Sequence, residues 1–151
     1  EALIVNRICK PLGMIHTSVT LNSVAQKNFA QGYNETGEAT APWDLASLKG
    51  SGAIRSTLND MIKYACAQME RKGPLHKAIA LSHQPTFIGK DQSMGLGWRI
   101  NQNGQHTYFH HSGGTGGFRS FIGFDPNRQT AIIILSNAAE DVTTIGERFL
   151  K

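Results

Sequence analysis

The sequence predicts an α+β fold in which a helical region comes first, an antiparallel sheet meander follows, and a C-terminal helix packs on the sheet. Apolar residues recur at helical spacing in the first half of the chain, whereas from Gly95 onward short apolar runs alternate with turn-forming residues. Short turns between consecutive strands make the strands antiparallel, and helices followed by a run of strands are typical of α+β domains. We therefore expect a helical and loop region over residues 1–94, and the sheet with its closing helix over residues 95–151 of the same domain.

The composition is that of a globular domain. Hydrophobic residues make up 40% of the 151 residues and charged residues 17%, which excludes a disordered chain and a coiled coil. The net charge of +4 comes from scattered cations, so no nucleic-acid partner is predicted, and no apolar run is long enough to span a membrane. Cys9 and Cys66 lie among apolar neighbours and are expected to be buried free thiols. Neither the cysteines nor the six histidines have the spacing of a metal site, and no metal or cofactor is expected.

Three helices are predicted before the sheet. The first covers residues 2–12, and residues 16–52 lack periodicity and form a long loop, which is usually functional or packed on another part of the fold. The second helix is capped by Ser56 or Thr57 and ends at Gly73-Pro74. Its apolar residues share one face, namely Leu58, Met61, Ile62, Ala65 and Met69. A shorter helix follows over residues 75–82.

Four strands are predicted after Gly95, with a closing helix over residues 140–151. The strand segments are GLGWRI, HTYFHHS, GGFRSFIGF and TAIIILS, and the turns between them include NQNGQ and DPNRQ. The run from Ala131 to Leu135 is apolar on both faces, so we expect a central strand covered on both sides. His110 and His111 are adjacent in a strand and are expected to point to opposite faces.

The segment HSGGTGGF, residues 111–118, carries the chemistry. Glycine occupies four of its five positions from 113 to 117, and bare backbone in a strand often marks the close approach of a ligand or another chain. His111 offers a switchable cation and Ser112 a hydroxyl donor. Such a strand suits an acyl substrate, because its backbone pairs with the substrate and an N–H group stabilises an oxyanion. The alternative for this segment alone is a glycine-rich hairpin loop with no function.

These residues resemble a known family. HSGGTGGF is similar to the third motif of the serine β-lactamase, penicillin-binding protein and esterase superfamily, in its class C-like branch, where the motif is K-T-G or H-x-G. Four further segments follow the family's order, namely KPLGM, GSGAIRSTLNDMIKYA, GLGW and IGFDPNRQTAIIILSN. The resemblance implies a partial β-lactamase/transpeptidase-like fold and a parent protein that hydrolyses a β-lactam, a D-Ala-D-Ala peptide or a small ester through an acyl-enzyme. Members of the family are often periplasmic or exported.

Two motifs of the family do not occur in this sequence. No serine is followed by lysine three residues later, which removes the nucleophile motif S-x-x-K, and neither Y-x-N nor S-x-N is present. In the family's order both motifs precede Glu1, so the chain resembles the C-terminal portion of such a hydrolase. Because nucleophile and base act as a unit, the chain alone is expected to be inactive.

The resemblance also assigns roles to five residues. His111 would supply positive charge near the substrate carboxylate and the base, and Ser112 would bond a polar group of the substrate. Gly113 would keep the strand bare, and Gly114 would give its backbone N–H group to the oxyanion hole. Asn137 would contact substrate at the rim of the sheet, with a cap of the last helix as its alternative role.

A second class of function stays open at this point. The chain could be a stand-alone, non-catalytic module that binds or assembles through the same fold. Expected partners are therefore a small-molecule or peptide acyl substrate, and either a missing N-terminal segment or a second copy that pairs with a sheet edge, because unpaired strands invite association.

Overall fold

The computed structural model describes residues 1–90 and 92–151. Its helices are α1 (Ala2–Ile4), α2 (Lys10–Leu12), α3 (Ser23–Lys27), α4 (Leu58–Met69), α5 (His76–Ser82) and α6 (Thr143–Leu150). A π-helical turn (Val5–Cys9) joins α1 to α2, and a 3-10 segment (Ala46–Ser51) precedes α4.

The strands form one small and one large antiparallel sheet. The small sheet pairs β1 (Gly32–Tyr33) with β2 (Ala39–Thr40). The large sheet has six strands in chain order, namely β3 (Phe87–Ile88), β4 (Ser93–Met94), β5 (Arg99–Asn103), β6 (His106–Thr115), β7 (Phe118–Asp125) and β8 (Thr130–Ser136). The predicted α+β fold, an antiparallel meander followed by a C-terminal helix, is confirmed.

The large sheet lies between α4 on one face and α6 on the other, with a separate apolar core on each face. The α4 face buries Trp98, Ile100, Phe109 and Phe124, against which Tyr64 and Met69 of α4 pack. The α6 face buries Tyr108, Phe121, Val142 and Leu150. Because side chains alternate along a strand, neighbours such as Tyr108 and Phe109 serve different cores.

A buried carboxylate fixes the first turn of α4. Asp60 is fully buried, and its Oδ2 accepts hydrogen bonds from the backbone N–H of His16 at 2.7 Å and from Thr17 Oγ1 at 2.9 Å. Lys63 Nζ lies 3.1 Å from Asp60 Oδ1. The Thr57 hydroxyl accepts from the Asp60 N–H at 3.3 Å, so Thr57 is the helix cap. Burial alone raises the pKa of Asp60, but the hydrogen bonds from Thr17, His16 and Lys63 outweigh it and hold the pKa below its ordinary value.

The prediction for the apolar face of α4 is partly wrong. Leu58 and Ile62 are 50% and 45% exposed, whereas Ala65 and Gln68 are buried. The helix rests on the sheet with its C-terminal half, and at its N-terminal half the polar network of Asp60 takes the inner face. Cys66 is also exposed, contrary to expectation, whereas Cys9 is buried.

The segment GLGWRI is a turn followed by a strand, not one strand as predicted. Gly97 has a φ of +80°, and Gly95 N–H donates to the Trp98 carbonyl at 2.8 Å. Residues 95–98 therefore close a hairpin between β4 and β5, and the sheet begins earlier than predicted, at Phe87. β5 starts at Arg99 and runs through part of the predicted turn to Asn103.

The strand β8 is at the edge of the sheet, whereas the sequence predicts it at the centre. Within residues 1–90 and 92–151 it pairs only with β7. Its apolar character on both faces has a different cause, because α4 and α6 both contact it from opposite sides. The closing helix begins at Thr143, later than predicted, and the predicted loop of residues 16–52 contains α3, β1 and β2.

The variant Asp60→Asn is expected to lower the free energy of unfolding at pH 7 by about 1–3 kcal/mol, because buried donors lose an anionic acceptor. The pKa of Asp60 is lowered by folding, so its stabilisation is present above the unfolded-state pKa of about 3.9 and is lost as the pH falls through the folded-state pKa. Urea unfolding of both proteins should therefore give a smaller difference near pH 3 than at pH 7.

The matched control is Glu35→Gln, which removes a charge from an exposed position and should change stability by less than about 0.5 kcal/mol. An Asp60→Asn protein as stable as the parent at pH 7 would contradict the role given to this carboxylate.

Candidate functional site

The strand β6 is paired on both sides in its first half and on one side in its second half. Its pairing with β5 ends where Arg99 lies opposite His110, because the chain before Arg99 turns away into β4. Among the described residues, β7 is the only strand with which residues 111–115 pair. Backbone groups of a strand point alternately to its two neighbours, so about half of the N–H and C=O groups of residues 111–115 point to an unpaired edge.

The register of β6 with β7 distributes the site residues over two faces. His111 is exposed, and Gly113 on the same face lies opposite Ser120 of β7. A Cβ atom at Gly113 would come within 3.0 Å of the Ser120 hydroxyl. Ser112 lies opposite Phe121 and therefore on the α6 face, together with Gly114. The structure thus brings His111 and Gly113 together and places the side chain of Ser112 on the other face.

A cation that sequence reasoning missed lies over Gly114. Arg119 is the register partner of Gly114, and a Cβ atom at that glycine would come within 3.0 Å of Arg119 Nη1. The guanidinium donates to the Phe118 carbonyl at 3.1 Å. The sequence feature that predicts this position is the Gly116-Gly117 pair. If these two residues form the hairpin turn, Arg119 lies opposite Gly114.

The tip of the β6–β7 hairpin is held by the β1–β2 sheet. Gly117 has a φ of +72°, and a Cβ atom there would lie 2.7 Å from the Gly32 carbonyl carbon and from the Tyr33 nitrogen. The Gly117 carbonyl accepts from the Tyr33 N–H at 3.3 Å. Only glycine combines this left-handed conformation with so close an approach of another backbone.

Trp43 packs against the other tip glycine. A Cβ atom at Gly116 would lie 2.7 Å from Trp43 Cδ1 and 2.7 Å from the Ala41 carbonyl oxygen. The indole is 54% exposed, and it also borders a cavity of about 360 Å³ whose walls include Val19, Phe29, Leu45, Lys49 and Arg55. The long segment predicted as a loop therefore packs on the glycine-rich hairpin.

Asn137 ties the end of β8 to the β1–β2 sheet. Its side-chain amide donates to the Gln31 carbonyl at 2.8 Å, and its own carbonyl accepts from the Tyr33 N–H at 2.9 Å. The alternative role as a helix cap is wrong, because α6 begins six positions later and Asp141 accepts from the Thr143 N–H at 3.0 Å. The substrate contact of Asn137 stays a prediction.

His110 points away from His111, as predicted. It is 1% exposed and lies on the α6 face, where its ring stacks on Phe121 with centroids 5.5 Å apart. Within residues 1–90 and 92–151 no group of three or more His, Cys, Asp or Glu side chains is placed to hold a metal ion. Over the same ranges the structure contains no helix with the length and apolar content needed to cross a membrane.

The fold defines a class of protein in which helices pack on both faces of an antiparallel sheet that contains one half-paired strand. Comparison with known proteins then gives the family. A sequence model described as Beta-lactamase matches residues 1–148, and the chain belongs to the β-lactamase family.

Individual relatives are distant in sequence and close in fold. A β-lactamase of Yersinia enterocolitica is 25% identical over 167 residues, covering 86% of this chain and 43% of that protein. A class C β-lactamase in complex with cefoxitin superimposes with a TM-score of 0.89 at 19% identity, over 99% of this chain and 52% of that one. The D-alanine carboxypeptidase AmpC from Burkholderia cenocepacia gives a TM-score of 0.87 at 20% identity, over 98% of this chain and 51% of that one. The chain spans about half the length of these relatives.

The variant Gly117→Ala is expected to lower the free energy of unfolding by more than about 2 kcal/mol. The left-handed backbone alone costs a residue with a Cβ atom roughly 1–2 kcal/mol, and the new methyl group also meets the backbone of Gly32 and Tyr33. Gly104→Ala is the matched control, because Gly104 has a φ of +60° and no atom within 4 Å of the added Cβ. Equal losses of stability for the two variants in urea unfolding would show that the packing on the tip contributes nothing.

Proposed function

We propose that this chain supplies the substrate-holding half of the active site of a serine hydrolase that acts through an acyl-enzyme. The observation that carries the proposal is the one-sided pairing of residues 111–115, which leaves a row of backbone donors and acceptors beside bare glycines. An extended acyl substrate adds to this edge as a further strand. Its class is a β-lactam, a D-Ala-D-Ala peptide or a small ester.

Five residues in or near the edge have a part in this scheme. The N–H group of Gly114 donates to the oxyanion of the tetrahedral intermediate, a role in which loss of one donor costs about 10²–10³ in rate. The exposed imidazole of His111 donates a hydrogen bond to the substrate carboxylate. Arg119, across Gly114, adds a permanent positive charge. Ser112, from the α6 face of the strand, and Asn137, at the end of β8, contact polar groups of the substrate at the rim.

The nucleophile and the base belong to a further segment of the fold. This sequence contains neither S-x-x-K nor Y-x-N, and its family relatives are about twice as long. In our proposal the chain corresponds to the C-terminal portion of those proteins, and residues outside it deliver the attacking hydroxyl to the β6 edge.

The same reasoning gives β8 a partner. The strand is apolar on both faces, and in the part of the chain that the structure describes one of its edges is unpaired. Leu135 on this strand is 45% exposed. Ile145 and Phe149 of α6, which packs on the opposite face of the sheet from Leu135, are 51% and 66% exposed. In our proposal a strand of the remaining part of the fold pairs here, and in the chain alone a second copy takes its place.

The chain alone is expected to bind acyl ligands at the β6 edge and to turn none of them over, because it holds donors for the substrate but lacks the nucleophile. Cefoxitin or acetyl-D-Ala-D-Ala added to the ¹⁵N-labelled chain should shift the amide resonances of residues 111–115. Nitrocefin and p-nitrophenyl acetate should be hydrolysed no faster than in buffer.

The variant His111→Ala tests the charged contact. A hydrogen bond to a charged group is worth about 1.5–3 kcal/mol, so ligand binding should weaken about tenfold or more, whereas His76→Ala, an exposed histidine of α5, should leave it unchanged. Ligand binding that shifts other amides but not residues 111–115 would sink the proposal, and binding of neither ligand would favour a non-catalytic assembly module. Rapid nitrocefin turnover by the chain alone would show that the essential groups are present.

The chain alone is expected to associate as its concentration rises, because an unpaired apolar strand is a template for pairing. Leu135→Lys should shift the protein toward monomer in light scattering after gel filtration. Leu81→Lys places the same charge on α5 at a leucine that is 57% exposed and should change nothing. A parent chain that stays monomeric at every concentration would rule out self-pairing through β8.

A further inference from the structure

The residue before His111 lies in a hydrogen-bond network that the proposed function does not use. His110 is 1% exposed, and its Nε2 lies 2.7 Å from Asn101 Nδ2 and 3.7 Å from Glu147 Oε1. Its Nδ1 is buried and has no hydrogen-bond partner among the described residues. A polar atom left unpartnered in a core costs stability, so its presence asks for an explanation.

The network continues from Asn101 to the surface, and its direction is determined at the outer end. Arg99 Nη1 lies 2.9 Å from Gln92 Oε1, and Gln92 Nε2 lies 3.2 Å from Asn101 Oδ1. A guanidinium can only donate hydrogen bonds. Arg99 therefore holds the oxygen of the Gln92 amide toward itself, which leaves the Gln92 NH₂ group facing Asn101.

The same logic carries through to the imidazole. Because Gln92 donates to the oxygen of Asn101, the Asn101 NH₂ group faces His110, and the Nε2 atom of His110 must accept. An imidazole nitrogen that accepts carries no proton. The neutral ring therefore holds its proton on Nδ1, and the unpartnered buried atom is the N–H group that this arrangement leaves over.

The charged groups around His110 come from three elements. Burial lowers the pKa of His110, Glu147 on α6 raises it, and Arg99 on β5, His111 on β6 and Lys151 after α6 lower it. Lys151 Nζ also lies 3.6 Å from Glu147 Oε2. This ammonium group therefore neutralises part of the negative charge of the carboxylate. A protonated ring would need an acceptor at Nε2, and Glu147 Oε1 is the group within reach.

We propose that His110 is a positioning residue whose tautomer is locked, with its proton on Nδ1, by the polarised chain from Arg99 through Gln92 to Asn101. Glu147 competes with Asn101 for Nε2 and takes the hydrogen bond when acid charges the ring. The lock lies on the α6 face of β6, directly before His111, whose side chain points to the other face. The lock itself does not depend on the proposed function.

The tautomer is measurable directly in the 151-residue chain. In a long-range ¹H–¹⁵N correlation spectrum at pH 7, the Nδ1 resonance of His110 should have the shift of a protonated nitrogen and Nε2 that of an unprotonated one. Asn101→Asp replaces the donating NH₂ group with an oxygen that only accepts. This variant should move the proton of His110 to Nε2 or charge the ring, which exchanges or equalises the two nitrogen shifts.

The matched control is Gln102→Glu, the same amide-to-acid change at an exposed neighbour on the opposite face of β5, which should leave the His110 spectrum as in the parent chain. Gln92→Leu, which cuts the chain near the surface, should give a mixture of tautomers and serves if Asn101→Asp does not fold. A parent His110 protonated on Nε2 or charged at pH 7, or an unchanged spectrum in both variants, would overturn the lock. Loss of ligand binding at the β6 edge with the lock intact would instead count against the proposed function.

Discussion

The arrangement of the site depends on where β5 stops pairing with β6. That point is determined by the core on the α4 face. Trp98 is the last residue of the β4–β5 turn and is 6% exposed. Its ring packs edge-on against that of Phe124, with the ring centroids 4.9 Å apart. With the indole buried there, and with Gly97 in a left-handed conformation, the chain cannot continue alongside β6 beyond Arg99. The length of the free edge is therefore a property of the hydrophobic core as much as of the glycine-rich segment itself.

The glycines of that segment serve two different physical purposes. Gly113 and Gly114 keep the strand bare, and their space is bordered by the side chains of Ser120 and Arg119, which can adjust. Gly116 and Gly117 are surrounded by the segment from Gly32 to Trp43 and meet backbone atoms, which cannot. The first pair leaves the space in which we propose that a ligand binds, and the second pair anchors the hairpin on the β1–β2 sheet.

Much of the fold was predictable because the patterns are local. The predicted strand TAIIILS matches β8, and the apolar spacing predicts both α4 and α5, although α4 ends at Met69, before the predicted stop at Gly73-Pro74. The start of β5 was missed because Leu96 and Trp98 look like strand residues, and nothing in the residue types reveals the left-handed φ of Gly97. The edge position of β8 is not predictable in the same way. Apolar residues on both faces of a strand indicate that helices cover both faces, but they do not indicate how many strands pair with it.

The sequence predicts those residues of the candidate site that lie together in one segment of the chain. Gly113 and Gly114 stand out because glycine is rare in strands. His111 stands out because it comes directly before this glycine-rich run. The position of Arg119 depends on the register across the hairpin, and the chain from Arg99 to His110 joins residues on three strands or turns that no local pattern connects.

The two-residue turn between β5 and β6 offers a practical handle. Asn103 pairs with His106, so Gly104 and Gln105 alone form the turn, and the space around Gly104 is open. Five strand steps of about 3.3 Å separate His106 from His111, which places the turn roughly 15 Å or more from the free edge. A fluorophore or an affinity tag inserted there would extend into solvent and leave the unpaired backbone edge of β6 unobstructed.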